Sequence, residues 1–175
     1  MEYARPATKA PDAGINISEA LSTLFERERS HTESLGGQLT ADIKPNLYAR
    51  IDPNDLKRIV SNLIENARRY GRSPADDKAY IHLSVQSRGN LVEIKVQDHG
   101  EGVEEHEVQR LLRPFSRGEL ARTGVNGAGL GLAIVERLLH QVDGRLELQS
   151  PPGHGLTARI EIPKLKVREA TRKTA

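Results

Sequence analysis

Two runs alternate apolar and polar residues on either side of Gly89-Asn90. Tyr80 to Ser87 does so through Ile81, Leu83 and Val85, and Leu91 to Gln97 through Val92, Ile94 and Val96. Period-two alternation gives each strand one apolar face, and the Gly-Asn pair marks a turn between them. An antiparallel pair of this kind needs cover on one side. Leu56 to Gly71 can supply it. Leu56, Ile59, Val60, Leu63, Ile64 and Ala67 recur at helical spacing and form an apolar stripe. Asn62, Asn66 and Arg69 fall at i, i+4 and i+7 on a second stripe beside the first. Surface helices usually carry Lys and Glu at such positions, since a partly buried amide needs hydrogen-bond partners.

The remaining chain extends this pattern. Asn16 or Ser18 can cap a helix over Ile17 to Ser34, with Leu21, Leu24 and Phe25 inward. His31, near its end, reads as a solvated side chain. Gln38 to Ile43 and Leu47 to Ile51 read as short strands around the Lys44-Pro45-Asn46 turn. Asp52-Pro53 is a helix cap followed by a helix-starting proline. A short helix is expected over Glu104 to Leu112, and Arg113 to Ala128 reads as a long loop. Gly129 to Val142 is helical, with Leu132, Val135, Leu138 and Leu139 inward. Arg145 to Gln149 and Leu156 to Ile162 alternate as a closing hairpin around Pro151-Pro152-Gly153. The expected fold class is an α/β (α+β) two-layer sandwich, with one mixed, mostly antiparallel sheet and helices on one face.

Composition sets outer bounds. The 175 residues suffice for one domain with a real core, and aromatics are only 3%, so that core is aliphatic. Without cysteine, disulfides and thiolate metal sites are excluded. The net charge of +2 is spread along the chain, which argues against a nucleic-acid partner. No apolar run is long enough to cross a bilayer. Residues 1–14 read as a linker, 15–163 as the domain, and 164–175 as a basic, disordered tail.

Two glycine-rich stretches carry the chemistry. Asp98-x-Gly100-x-Gly102 closes a strand. A carboxylate held there can accept a hydrogen bond from an exocyclic amine, which distinguishes adenine from guanine. A plain Asp-Gly turn explains the same residues. Gly127-x-Gly129-x-Gly131-Leu132 opens a helix, where free backbone N–H groups suit phosphate. A flexible hinge explains the glycines but not their place at a helix start. The dinucleotide fingerprint fails on spacing, and the P-loop fails because no Lys follows the glycines. The histidines form no metal-like cluster. Asp76-Asp77, Glu104-Glu105 and Glu65 read as solvated charges.

Taken in order, Asn62-x-x-x-Asn66-Ala67, Asp98-x-Gly100-x-Gly102, Pro114-Phe115 and Gly127-x-Gly129-x-Gly131-Leu132 resemble the N, G1, F and G2 boxes. These boxes mark the ATP-binding catalytic domain of bacterial sensor histidine kinases. That domain has the Bergerat fold of the GHKL group, shared with gyrase B, Hsp90 and MutL. NLIENARRYG, LLRPFSRGELAR and GAGLGLAIVERL look most like EnvZ-type osmosensor kinases. The resemblance implies ATP and Mg²⁺ as cofactors. Asn66 would give its side-chain oxygen to Mg²⁺, with Asn62 supporting the same site. Arg69 would reach the phosphates, and Tyr70 would pack on adenine or ribose. Asp98 would accept from the adenine amino group, in a pocket shaped by Gly100, Gly102 and Val103. Phe115 would anchor the lid and Arg117 would meet the γ-phosphate. Gly127, Gly129, Leu130, Gly131 and Leu132 would hold the phosphate chain. Asn62, Asn66 and Arg117 are thereby the expected catalytic residues.

Two positions depart from the family. Ala128 stands where Ser or Thr is common, and Gly155-Leu156-Thr157 where Gly-Thr is more usual. Asn62 also separates branches of the fold. A Glu commonly stands there in the gyrase, Hsp90 and MutL branch and activates water, whereas an amide cannot take that proton. Phosphoryl transfer to a partner is therefore favoured over hydrolysis. The acceptor would be a His on a separate dimerisation domain, and His31-Thr32-Glu33-Ser34 does not match the acceptor motif. The chain is expected to be the catalytic module of a larger kinase, itself lacking the acceptor. That kinase would sit in the bacterial inner membrane with this domain in the cytoplasm, and would pass phosphate to an OmpR-type response regulator. The domain itself would touch neither membrane nor nucleic acid. A Bergerat-fold ATPase would instead hydrolyse ATP steadily, and a non-catalytic interaction module would not bind it.

Overall fold

The structure is a computed structural model and describes residues 14–111 and 131–166. Its elements in order are β1 (Ile15–Asn16), α1 (Ile17–Ser34), β2 (Gln38–Ile43), β3 (Tyr48–Ala49), α2 (Pro53–Tyr70), β4 (Tyr80–Arg88), β5 (Leu91–Asp98), α3 (Glu105–Leu111), α4 (Gly131–His140), β6 (Arg145–Gln149) and β7 (Thr157–Pro163). Five strands form the main sheet in the order β2-β4-β5-β7-β6. The β2–β4 pair is parallel and the other pairs are antiparallel. The expected hairpin is present, with Leu83 opposite Val96 and Val85 opposite Ile94. Gly89 turns it at φ +61°, a conformation that costs glycine little.

Local chemistry sets the helix ends. The Asn16 side chain caps α1 by accepting from the Glu19 N–H at 3.3 Å. Asp52 caps α2, its Oδ1 accepting from the N–H groups of Asn54 (2.8 Å) and Asp55 (3.3 Å), with Pro53 at the first helical position. The α2 stripe is buried as the spacing requires: Leu56, Ile59, Val60, Leu63, Ile64 and Ala67 all face the core. They meet Ile81, Leu83, Val85, Val92, Ile94 and Val96, joined by Ala158, Ile160 and Ile162 from β7. Burying each large aliphatic side chain is worth roughly 1.5–3 kcal/mol. Across the sheet, α1 packs on β2, α2 on β4 and β5, and α4 on β6, so α2 has α1 on one flank and α4 on the other.

Three expectations need correction. Of the strand expected over Leu47 to Ile51 only Tyr48–Ala49 is strand, and it stands outside the main sheet. Tyr48 and Ala49 pair with Asn16 and Ile15 in a separate two-stranded sheet. The start of α1 captures this segment: the Ile17 N–H donates to Leu47 O at 2.8 Å, and Ser18 Oγ donates to Lys44 O while accepting from the Leu47 N–H. The domain also continues past Pro163. Lys164 bridges to Ala49, the Leu165 N–H donates to Tyr48 O, and Leu165 is buried against Gly14. Glu65 is no idle surface charge, because it pairs with both Arg68 and Arg69.

The opposite face of the sheet carries an ionic lattice. Glu93 and Glu161 are buried there under Arg88, Lys95, Arg145 and Arg159. Side-chain alternation produces this arrangement, since Glu93, Arg159 and Glu161 occupy the out-facing positions between the core residues of β5 and β7.

Candidate nucleotide-binding site

The site is assembled along α2. Asn62 and Asn66 lie one turn apart on its second stripe and are half-buried. Asn62 Nδ2 donates to Arg58 O at 2.7 Å, which turns its Oδ1 away from its own helix. That oxygen lies 3.3 Å, and Asn66 Oδ1 lies 3.6 Å, from where a Cβ would stand on Gly131. Gly131 begins the described part of α4. Two boxes about 70 residues apart in the chain therefore meet, with both Asn amides in contact range of the Gly131 position. Two neutral carbonyl-type oxygens beside the first described residue of α4 suit a hard cation that keeps phosphate and water ligands, which is the chemistry of Mg²⁺.

At its C-terminal end α2 reaches the second half of the site. Asp98 is the last residue of β5 and is only 4% exposed. Its Oδ1 accepts from the N–H groups of Gly100 and Leu156, both at 3.0 Å. Oδ2 remains for a further donor. A Cβ on Gly71 would stand 2.2 Å from Asp98 Cγ and 2.4 Å from Oδ2, so a side chain there would cover the carboxylate. A Cβ on Gly100 would stand 2.9 Å from the Gly71 backbone, and one on Gly155, at φ +71°, 2.2 Å from Asp98 O. Burial pushes the Asp98 carboxyl above its ordinary value, and the two N–H donors with nearby His99 only partly oppose this. Gly71 lies five residues beyond Asn66, about 7 Å along the helix axis. That separation matches the step from a nucleoside to its phosphates.

Tyr70 is exposed beside this pocket, and Arg69 pairs with Glu65 at 3.3 Å. Gly102 has φ +80°, and a Cβ there would lie 2.6 Å from Ser150 Oγ. The Val103 N–H donates to that same Oγ at 2.7 Å, and Ser150 passes the bond on to Gly155 O. Val103 is thus tied to the rim by its backbone. Leu132 follows Gly131 and packs against the core. Phe115, Arg117, Gly127, Gly129 and Leu130, with the lid expected over 113–128, lie outside the described residues.

Sequence reasoning missed four contributors: Gly71, Ser150, Gly155 and Leu156. Gly71 was legible only as a helix stop. The Gly155-Leu156 pair departs from the family pattern, yet its Leu156 N–H holds Asp98. Among the described residues no cluster of three or more His, Cys, Asp or Glu could hold a metal.

A fold of this topology with these two half-sites defines an ATP-binding domain. Residues 51–166 match the family described as histidine kinase-, DNA gyrase B- and HSP90-like ATPases, and the chain belongs to that family. Within it the relatives are sensor histidine kinases, and the chain is the catalytic ATP-binding part of such a kinase. It is 31% identical over 143 residues to sensor histidine kinase component HK1 of Mycobacterium tuberculosis, covering 82% of this chain and 81% of that one. It is 37% identical over 113 residues to sensor histidine kinase RcsC of Escherichia coli. That match takes in 64% of this chain but only 11% of RcsC, so this chain spans about a tenth of that relative's length. Among solved structures, full-length ShkA in complex with AMPPNP superposes with a TM-score of 0.72 at 23% identity, over 89% of this chain and 31% of that one. The mycobacterial sensor histidine kinase MprB gives 0.70 at 21% identity, over 88% and 98%. Both support the fold.

Proposed function

We propose that this chain binds Mg-ATP between α2, the end of β5 and the start of α4, and delivers the γ-phosphate to a His on a separate dimerisation domain. The observation that carries this reading is the convergence of the Asn62 and Asn66 amide oxygens on Gly131, with Asp98 at the other end of the same helix. Asn66, supported by Asn62, would hold Mg²⁺, which when bound would neutralise charge on the phosphates. Asp98 Oδ2 accepts from the adenine amino group. Tyr70 covers the base or ribose, and Arg69 faces the phosphates. Backbone N–H groups at Gly131 and Leu132 receive phosphate oxygens. Phe115 and Arg117 belong to the lid, and Gly127, Gly129 and Leu130 to the phosphate loop.

Asn62 accounts for the choice of acceptor. An amide there removes no proton from water, so the bound nucleotide waits for an external nucleophile. Positioning and charge neutralisation then supply most of the acceleration. The His would pass its phosphoryl group to a response regulator. The EnvZ-like stretches favour an OmpR-type regulator and an osmosensing kinase. The whole kinase would lie in the inner membrane with this domain on the cytoplasmic side. Among the described residues, no helix is long and apolar enough to cross a membrane.

Calorimetric titration with a non-hydrolysable ATP analogue tests the reading, with and without Mg²⁺ and against the matching GTP analogue. Adenine-selective, Mg²⁺-enhanced binding is expected, followed by phosphotransfer to an added His-bearing domain. Asn66→Asp should remove most of the productive Mg-ATP binding. Equal affinity for both bases, or native affinity in that variant, would sink the assignment.

A further inference from the structure

Helix α2 presents three adjoining flanks. Ser61 and Arg68 face α1, Asn62, Asn66 and Arg69 lie on the nucleotide side, and Glu65 stands on the ridge between them. On the α1 flank sits a buried polar cluster. Arg68 is 8% exposed, and its Nη1 donates to Glu28 Oε2 at 3.0 Å and to Thr32 Oγ1 at 3.3 Å. Glu28 is 6% exposed, and its Oε1 accepts from Ser61 Oγ and Arg27 Nη2, both at 3.1 Å. The other edge of the same guanidinium points outward. Nε and Nη2 of Arg68 donate to Glu65 Oε2 at 3.3 and 2.8 Å. The remaining Glu65 oxygen, Oε1, accepts from Arg69 Nη2 at 3.3 Å.

A flexible surface Glu would hold a neighbouring Arg only loosely. Here Glu65 is fixed by two bonds from a buried guanidinium, which is itself fixed by a buried carboxylate on another helix. Planar, forked donors transmit orientation in a way that a point charge does not.

We propose that Glu28, Arg68 and Glu65 form a positioning relay from α1 to Arg69, presetting the Arg69 guanidinium for the triphosphate. The inference rests on the nucleotide reading above, and specifically on Arg69 facing the phosphates. None of the three relay residues needs to touch the nucleotide. The relay makes the seating of α1 on α2 a determinant of triphosphate affinity. Displacing α1 would loosen Arg69 without altering the adenine pocket.

The test uses the 175-residue chain and two probes, a non-hydrolysable ATP analogue with Mg²⁺ and adenosine, each titrated calorimetrically. The variants are Glu65→Gln, Glu28→Gln, Arg69→Gln and the double variant Glu65→Gln/Arg69→Gln. Glu65→Gln should weaken the triphosphate analogue about two- to fivefold, the scale of a half-exposed ion pair, and leave adenosine unchanged. Glu28→Gln should show the same split more weakly. The double variant should be no worse than Arg69→Gln alone, because both changes act through one group. A merely structural role would move both probes together or neither, and that result overturns the relay. So does native or tighter triphosphate binding in Glu65→Gln, provided Arg69→Gln still weakens it; in that case the reading of Arg69 stands. If Arg69→Gln itself binds the triphosphate as the native chain does, the phosphate-facing reading of Arg69 fails and the relay fails with it.

Discussion

Asp98 and Glu28 are carboxylates buried to nearly the same degree, 4% and 6% exposed, yet their environments drive them in opposite directions. Burial is the largest influence on both and favours the neutral acid. At Glu28 it is outweighed by Arg27, Arg68 and Ser61, and the carboxyl falls below its ordinary value. At Asp98 only two backbone N–H groups and a neighbouring imidazole oppose it, and the carboxyl rises. Glu28 has its hydrogen bonds filled from within the protein. Asp98 has Oδ1 filled by two N–H groups, while Oδ2 lies beside Gly71, where a Cβ would stand only 2.4 Å from it. The first arrangement holds two helices together. The second leaves a buried acceptor that an outside donor can complete, as expected of a binding site.

The comparison is broken most forcefully at Arg68. Arg68→Leu strands Glu28 without its buried cation, and the loss of stability should be about 3 kcal/mol by urea denaturation. A loss under about 1 kcal/mol would mean that Arg27 and Ser61 satisfy Glu28 alone. Asp98→Asn should behave conversely. The change keeps shape and removes a strained charge, so stability should move by less than about 1 kcal/mol. Adenine-nucleotide affinity should fall about tenfold or more, since a hydrogen bond to a charged group is worth roughly 1.5–3 kcal/mol. A stability loss like that of Arg68→Leu, with native affinity, would reverse the two roles.

Gly71→Ala sharpens the contrast at lower cost. The added Cβ would fall 2.2 Å from Asp98 Cγ, so the carboxylate or the end of α2 must shift. Overpacking of this kind destabilises by about 1–3 kcal/mol, and adenosine affinity should drop alongside. Retained adenosine affinity would show that Asp98 can move and still bind.

What was legible in the sequence divides along similar lines. The strands of the main sheet, α1, α2 and the Asn62–Asn66 stripe follow from local periodicity and caps, and they stand where the pattern puts them. Asp98 at a strand end was legible for the same reason. Register between distant segments was not. Whether Leu47 to Ile51 pairs with β2 or with β1 depends on Ser18 and the Ile17 N–H, which lie about 30 residues away. Glu65 looked solvated because a helical projection shows which face a residue occupies but not which long side chains fold back over it. The support of Asp98 by Leu156 is a contact across 58 residues that no local motif encodes.

The smallest effect separates the two carboxylates by pH. For Glu28 the folded value is lowered, so its stabilising contribution is present above the ordinary carboxyl value and is lost as pH falls through the folded one. For Asp98 the folded value is raised, so its contribution is full below the ordinary aspartate value and is lost as pH rises through the folded one. Binding runs against stability at Asp98, because Oδ1 is already taken by two N–H donors and a proton on Oδ2 would set a donor against the adenine amine. Adenosine, which lacks titrating phosphates, should therefore bind more weakly as pH falls through Asp98's raised value. The decline should begin at a higher pH than exposed aspartates titrate. Asp98→Asn keeps His99 in place and should flatten the profile at low affinity. If the slope survives in that variant, a group other than Asp98 carries it, and the assignment of the pH dependence to Asp98 fails.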